Sequence, residues 1–241
     1  MAILEESPES TPSDQQSLLQ TLRIPAEYAR FEALGDNEIY DRLDQWKTNA
    51  LSALSTLREQ LKLNSHLGTE QQADIAFHAA SYMGEVGEWS TEQMHDISVD
   101  TLELLGEPDI HVLERTLNHH IKSLFRANPH PSLNASTGRK ISRQAGGPMA
   151  AQDIYEDQLW KRSPGVGNAL SWCVQHIHTE MYERLWGLVV PPIMILLDDY
   201  EVKYKIEGIH IVEALLGNAP PDLLKRTGIS DLLFSVLHRA L

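Results

Sequence analysis

The sequence predicts an all-α protein, on three observations. Apolar residues recur at three- and four-residue steps over most of the 241 residues, which is the period of an amphipathic helix. No alternating apolar and polar segment is long enough to make a strand. The breaks between periodic segments are short, so about nine to ten helices fold back on their neighbours as pairs stacked side by side. No fixed-period motif recurs, so the stack rests on architecture rather than on internal repeats.

Taken in order, residues 1–16 are acidic, polar and proline-containing, and read as a disordered tail. An N-terminal helical region covers residues 17–127. Within it Asp36–Leu63 reads as one long helix, with Ile39, Leu43, Trp46, Ala50, Leu54, Leu57 and Leu61 along one side. Thr69–Met83 is a second helix, with Ala73, Ala76, Phe77 and Ala80 on one side. Ser90 begins a third, with Gln93 three residues on as in a capping box, and Gly106 closes it. Pro108 suits the first turn of a fourth, which carries Ile110, Leu113, Leu117, Ile121 and Leu124.

Residues 128–150 are rich in Gly, Pro, Ser and Asn, have no apolar period, and read as a flexible loop. The C-terminal region, 151–241, resumes with helices at Ala151–Lys161 and Asn168–Trp186. A helical hairpin then runs from Trp186 to Leu216. Its first helix is apolar through Pro191 and Pro192 to Leu197 and needs cover on every side. Asp198 or Asp199 is placed to cap the second helix, whose apolar stripe is Val202, Ile206, Ile209, Val212 and Leu216. Gly208 interrupts that helix at a cost of about 1 kcal/mol relative to alanine, which implies the close approach of another backbone. Pro220–Arg226 and Ser230–Leu241 close the chain.

Composition narrows the function. The net charge of −14 is concentrated in residues 1–120, where 22 acids face 7 bases, while residues 121–241 are close to neutral. Such a field repels phosphate backbones and argues against direct nucleic-acid binding by the first half. The single cysteine, Cys173, forms no internal disulfide and suits a reducing, intracellular compartment. The longest apolar run, Leu185–Leu197, is too short and too proline-interrupted to span a membrane.

Chemical signatures are weak. His176 and His178 point about 200° apart on a helix and cannot clamp one ion. Cys173 and His176 share a face but are half a zinc site, and His119-His120 fails similarly. Asp198-Asp199 is explained by capping, although a metal-dependent helical hydrolase built on the histidines and this pair is the rival from another class. Gly165-Val166-Gly167 lacks the strand and third glycine of a nucleotide loop. Arg139-Lys140-Ile141-Ser142-Arg143 is a basic patch that suits phosphorylation on Ser142 or contact with an acidic partner, against the plainer reading of a solvated loop. Of Trp160, Trp172 and Trp186, at least two are expected in the core, and an exposed one would anchor an interface. Tyr200, Lys203 and Lys205 flank the hairpin turn, where side chains are reachable from outside, and are the candidate partner contacts.

More specific signatures begin at Gln158. They are Leu159-Trp160-Lys161, the run from Pro191-Pro192 to Leu197-Asp198-Asp199-Tyr200, Tyr204-Lys205, Gly208, and then Pro220-Pro221, Leu223-Leu224 and Arg226-Thr227-Gly228. In order and spacing they resemble the conserved half of the second Tel-two-interacting protein family, in its fungal form. Residues 1–150 share only helical character with it. The resemblance implies a HEAT-like α-solenoid, with Trp186, Pro191, Pro192, Asp198, Asp199 and Gly208 as its structural hairpin. It also implies a non-catalytic subunit of the Triple-T (TTT) complex, without cofactor. That complex acts with the Hsp90 chaperone system in the stability and assembly of phosphatidylinositol 3-kinase-related kinases in cytoplasm and nucleus, and in fungi belongs to the ASTRA assembly. A generic helical adaptor is the milder alternative. Two departures stand out. The family pattern continues past Arg226-Thr227-Gly228, so a chain stopping at Leu241 looks truncated, with Leu232, Leu233, Phe234, Val236 and Leu237 left as an uncovered apolar end. Glu207 stands where the family often has a basic residue before Gly208.

Overall fold

The structure, a computed structural model, describes residues 12–33, 37–63, 66–85, 87, 89–125, 129–142 and 158–240. Among them there is no strand, only one isolated antiparallel bridge between Leu133 and Lys140. The tail over 1–11, the second part of the expected loop, 143–150, and the start of the helix expected from Ala151 lie outside the described residues.

The first helix, α1 (Pro12–Leu22), begins inside the stretch expected to be tail. Proline is accepted at a first helical position because its missing N–H has no partner there in any case. Leu19 and Leu22 then fix the helix by burying against α2 (Asn37–Leu63). A 3-10 turn at Ala26–Ala33 lies between the two. Next come α3 (Thr69–Ala80) and α4 (Glu92–Leu105). The cap of α4 is Thr91 rather than Ser90: its hydroxyl accepts from the N–H of Met94, while Ser90 takes the N–H of Gly87. Gly106 closes α4 at φ 75.

The fourth helix starts later than Pro108 suggests. Asp109 caps α5 (Ile110–Arg115), accepting from the N–H groups of His111 and Val112, and Pro108 sits ahead of the cap. The helix widens into a π turn at Thr116–Ile121 and ends as α6 (Lys122–Phe125). A 3-10 turn at Leu159–Arg162 precedes α7 (Val166–Gln175). The single helix expected over Asn168–Trp186 is split. His176 takes the Trp172 carbonyl with both its backbone N–H and its ring Nδ1, ending α7. Thr179 is held by the Asn218 carbonyl as it opens a new 3-10 turn. The hairpin follows as α8 (Tyr182–Asp198) and α9 (Val202–Asn218), then α10 (Pro221–Arg226) and α11 (Ile229–Ala240).

Two cores form, with α3 between them. Ile75 faces the first, with Leu54, Leu57, Tyr82 and Met94; Ala76, Ala79 and Ala80 face the second. Alanines on that side let α7 come close, and Asn168 of α7 donates to the carbonyl of Ser81 at 3.0 Å. The second core is centred on α8, buried on all sides from Leu188 to Leu197. α9 covers one side of it, α6 and the π turn another, and α11 a third. Trp160, Trp172 and Trp186 are all buried in this core, so none is an exposed anchor.

Two expectations about exposure are overturned. At the C-terminal end Leu232, Leu233 and Val236 are buried against α8 and α10, and Phe234 is the large apolar side chain left exposed. On α9 the covered face is Gly208, Ile211, Val212 and Leu215. Val202, Ile206, Ile209 and Leu216, four of the five positions expected to form the core stripe, point outward.

Residues 129–142 carry no helix, yet they are bound to the hairpin. Leu133 enters the core and the N–H of Lys140 donates to the Thr227 carbonyl at 3.0 Å. His130, buried, ties the segment to Asp198 at the end of α8 through its Nε2 at 2.7 Å. Its Nδ1 accepts from the N–H of Ser132, so the Nε2 proton is the one donated to the carboxylate. Gly187 and Gly138 permit the close approach: a Cβ on Gly187 would collide with the Ser136 carbonyl, and one on Gly138, at φ 62, with the Trp186 carbonyl.

Candidate partner-binding site

The turn Asp199–Tyr200–Glu201 between α8 and α9 is organised by a lysine from far back in the chain. Lys161, in the 3-10 turn at Leu159–Arg162, is 5% exposed. Its Nζ donates to Asp199 Oδ1 at 2.9 Å and to Glu201 Oε1 at 2.8 Å. The same ammonium sits 4.3 Å from the ring centroid of Tyr200 and 5.0 Å from that of Tyr204. A desolvated cation over aromatic faces gains about 2 kcal/mol or more from each ring quadrupole in favourable cases. Asp199, buried, also accepts from the backbone N–H of Glu201. Burial raises the Glu201 carboxyl, but the hydrogen bond and charge of Lys161, joined by Lys203 and Tyr200, outweigh it and leave its pKa lowered.

Neither aspartate caps α9 as expected. Glu201 occupies the cap position without a side-chain cap bond. Asp198 is engaged with His130 and Asp199 with Lys161, because each carboxylate at this buried junction needs a partner of its own. They do not converge with the other histidines: His120 pairs with Asp74 and stacks on Phe77, His176 bonds its own helix, and His178 lies 3.4 Å from Glu107. Among the described residues no three His, Cys, Asp or Glu side chains are grouped to hold a metal ion. Burial lowers the pKa of His120 despite Asp74, and raises that of the Cys173 thiol.

Gly165 and Gly167 have packing roles. Gly165 precedes α7 at φ 80, with Ser81 where its Cβ would go. Any side chain on Gly167 would overlap the carboxylate of Glu207, which leans across from α9. Burial there pushes the Glu207 carboxyl up to about 7, with Lys203 pulling the other way. A basic residue at this position would meet the same half-buried surroundings.

The outward surface is mostly apolar. Tyr200 is 62% exposed and Val202 67%, and Ile206, Ile209 and Leu216 continue the line along α9. At 100° per residue, positions 202, 206, 209 and 216 fall on one face, with the exposed Glu213 among them. Lys203 is exposed on one flank of it, within 3.6 Å of Glu201, and Lys205 is half-buried on the other. Of the three candidate contacts, Tyr200 and Lys203 are therefore reachable and Lys205 partly so. The apolar face itself is the feature that sequence reasoning misassigned. Its signal was the glycine at 208, which marks the side of α9 pressed against α8.

Comparison with known families decides the relationship. The Tti2 family matches residues 75–241, more than two thirds of the chain. The chain belongs to the Tti2 family. Among its relatives is human TELO2-interacting protein 2, 30% identical over 74 residues that make up 30% of this chain and 14% of the human protein. The rat and mouse proteins of the same name are each 24% identical over 84 residues, 35% of this chain and 16% of theirs. The matched segment thus spans about a sixth or less of these curated relatives. No solved structure matches the chain. The Tti2 match begins within α3 at Ile75, well before the signatures at Gln158, so the second half of α3 and α4 to α6 belong to the family region along with the hairpin. Among the described residues no helix is long and apolar enough to cross a membrane.

Proposed function

We propose that this chain is a non-catalytic scaffold subunit of the TTT complex, holding its other subunits through the outward face of α9 and the adjoining turn. The observation that carries the reading is the Tti2 family match over residues 75–241, which contains the whole hairpin. The relatives' name describes proteins that interact with TELO2. Through the complex, the chain contributes to the stability and assembly of phosphatidylinositol 3-kinase-related kinases with the Hsp90 machinery, in cytoplasm and nucleus, and in fungi to the ASTRA assembly. The site supports a holding role: its buried charges are paired with one another, and its exposed part is an apolar helix face framed by Tyr200 and Lys203.

The test is affinity capture with the tagged full chain in cells, followed by identification of what is retained. Recovery of TTT subunits is expected. Ile206→Glu with Ile209→Glu, and separately charge reversal at Lys203 and Lys205, should reduce that recovery without lowering the melting temperature, because the changed side chains lie on or beside the surface. Capture that retains no TTT subunit ends the proposal. Full recovery with the Ile206 and Ile209 variant removes α9 as the docking face.

A further inference from the structure

On the opposite side of α8 from α9 lies a cleft of 590 Å³ between α5, α8, α10 and the segment 136–139. Its walls carry four cations, Lys122, Arg139, Arg184 and Arg226, against two carboxylates, Glu114 and Glu183. Arg184 is bonded to Glu114 and Arg226 to Glu183. Lys122, half-buried, and Arg139, exposed, have no ion-pair partner among the described residues. A local excess of two positive charges in a chain of net charge −14 is an attractor for a dianion. In one wall the Nε1–H of Trp186 is buried without an acceptor.

The cleft continues into a slot of 190 Å³ with a different character. Lys122, Ser136, Gly187 and Leu188 line both, and the slot ends on Phe125, Pro129, Pro191, Pro192 and Ile195. Pro191 and Pro192 have no N–H, so the carbonyls of Gly187 and Leu188 lack their usual donors four residues on. The junction of cleft and slot is thus lined by residues whose carbonyls have no donor four residues on. Cations, then backbone acceptors, then an apolar recess is the order of groups that an extended peptide reads.

We propose that this cleft binds an extended partner segment bearing a phosphorylated serine or threonine, with its phosphate on Lys122 and Arg139 and a following apolar side chain in the Pro191–Pro192 slot. A phosphomonoester carries a charge of about −1.5 to −2 near neutrality, which matches the excess. Guanidinium groups bind its oxygens through two parallel N–H bonds. The apolar slot next to the cations favours a peptide over a free anion. The acidic chain as a whole disfavours nucleic acid. The proposal is independent of complex membership, since it concerns a surface on the other side of α8 from the α9 face.

The test is fluorescence anisotropy of the full chain with three labelled peptide pools that share degenerate flanks and a leucine after the centre, and carry phosphoserine, serine or glutamate at the centre. The phosphoserine pool is expected to bind roughly tenfold or more tighter than the serine pool, and to weaken as salt rises. Lys122→Glu with Arg139→Glu should abolish that preference while the circular dichroism spectrum and melting curve stay unchanged. Ala135→Trp, at an exposed position lining the slot, should remove the advantage of leucine over serine after the phosphate. Equal binding of the phosphoserine and serine pools, or none by either, overturns the proposal. So does a preference that survives the double charge reversal. Inorganic phosphate that competes as well as the peptide reduces the site to an anion site. A single-stranded RNA that binds with the same dependence on Lys122 and Arg139 transfers the cleft to nucleic acid. Either result refutes the peptide.

Discussion

Gly208 is the most direct test of how the hairpin is packed. A Cβ added there would lie 3.0 Å from the backbone nitrogen of Leu197 and 3.2 Å from Leu196 Cβ and Leu197 Cδ2. The nearest atom belongs to the last turn of α8, which is buried and cannot rotate aside. Two terms compete. Replacing a mid-helix glycine by alanine gains about 1 kcal/mol of helix propensity, and forcing a methyl into a contact this tight costs roughly the same. Gly208→Ala should therefore change stability by less than about 1 kcal/mol. Leucine keeps most of the propensity gain but adds three more carbons against α8, and overpacking should leave a net loss of about 2–3 kcal/mol. In a chain of this length that loss is a fall in melting temperature of roughly 4–12 °C, read by circular dichroism or calorimetry. Gly217, in the same helix with nothing within 4 Å of its Cβ position, is the internal control. Gly217→Ala should not destabilise, whatever happens at 208. Gly208→Leu melting at the wild-type temperature would show that α8 and α9 are not in backbone contact.

Other sites yield equally specific outcomes. Glu207 is raised to about 7 from an unfolded value near 4.5, so between those pH values the unfolded chain binds fewer protons than the folded one and stability falls as pH rises. Glu207→Gln should thus stabilise by up to about 3 kcal/mol above pH 7, and the gain should vanish by pH 4.5; a gain independent of pH would refute the assignment. Lys161→Ala strands the buried Asp199 carboxylate and should cost about 3–5 kcal/mol in denaturant unfolding, more than Lys161→Met combined with Asp199→Asn. A loss of under about 1 kcal/mol would mean that water reaches Asp199. Gly187→Ala drives a methyl into the Ser136 carbonyl and should cost about 1–3 kcal/mol while loosening residues 129–142, seen as faster amide exchange at Leu133 and Lys140. Unchanged exchange there would separate the loop from α8.

What could be read from the chain follows from which interactions are local. The helical period, the Gly106 stop and the apolar content of α8 are properties of neighbouring residues, so the all-α class and the hairpin were visible. The partners of buried charges are not local. Lys161 and Asp199 are 38 residues apart, and His130 and Asp198 are 68 apart, so capping was the reasonable reading of two adjacent aspartates that in fact serve long-range pairs. The anchoring of residues 129–142 escapes the sequence for a related reason. Their glycines, proline and asparagine mark an absence of helix, but not whether the backbone is tied to something distant, as it is here through Leu133, His130 and the Thr227 carbonyl. The break at His176 depends on a side chain choosing its own helix's carbonyl, which no spacing rule encodes.

The orientation of α9 combines these points. Two faces of this helix compete for α8: one large and aliphatic, with Val202, Ile206, Ile209 and Leu216, and one smaller, with Gly208, Ile211, Val212 and Leu215. Area alone favours burying the first, at about 1.5–3 kcal/mol per full aliphatic side chain, but the Glu213 carboxylate lies on that face and would have to be buried with it. The second wins because two further constraints act on the same face. Gly208 lets the axes approach until Leu197 is in contact, and Tyr204, on that side, meets Trp160 edge-on at 4.6 Å beneath the Lys161 ammonium. Turning α9 to bury Ile206 and Ile209 would lift Tyr204 from Lys161 and bring Cβ-bearing positions against the α8 backbone. The helix thus meets its own neighbour with its close-packing face and leaves the larger, mostly aliphatic face exposed. A bound partner would recover the burial, so the docking proposed for this chain falls on the outward face of α9 rather than on the paired charges beneath it.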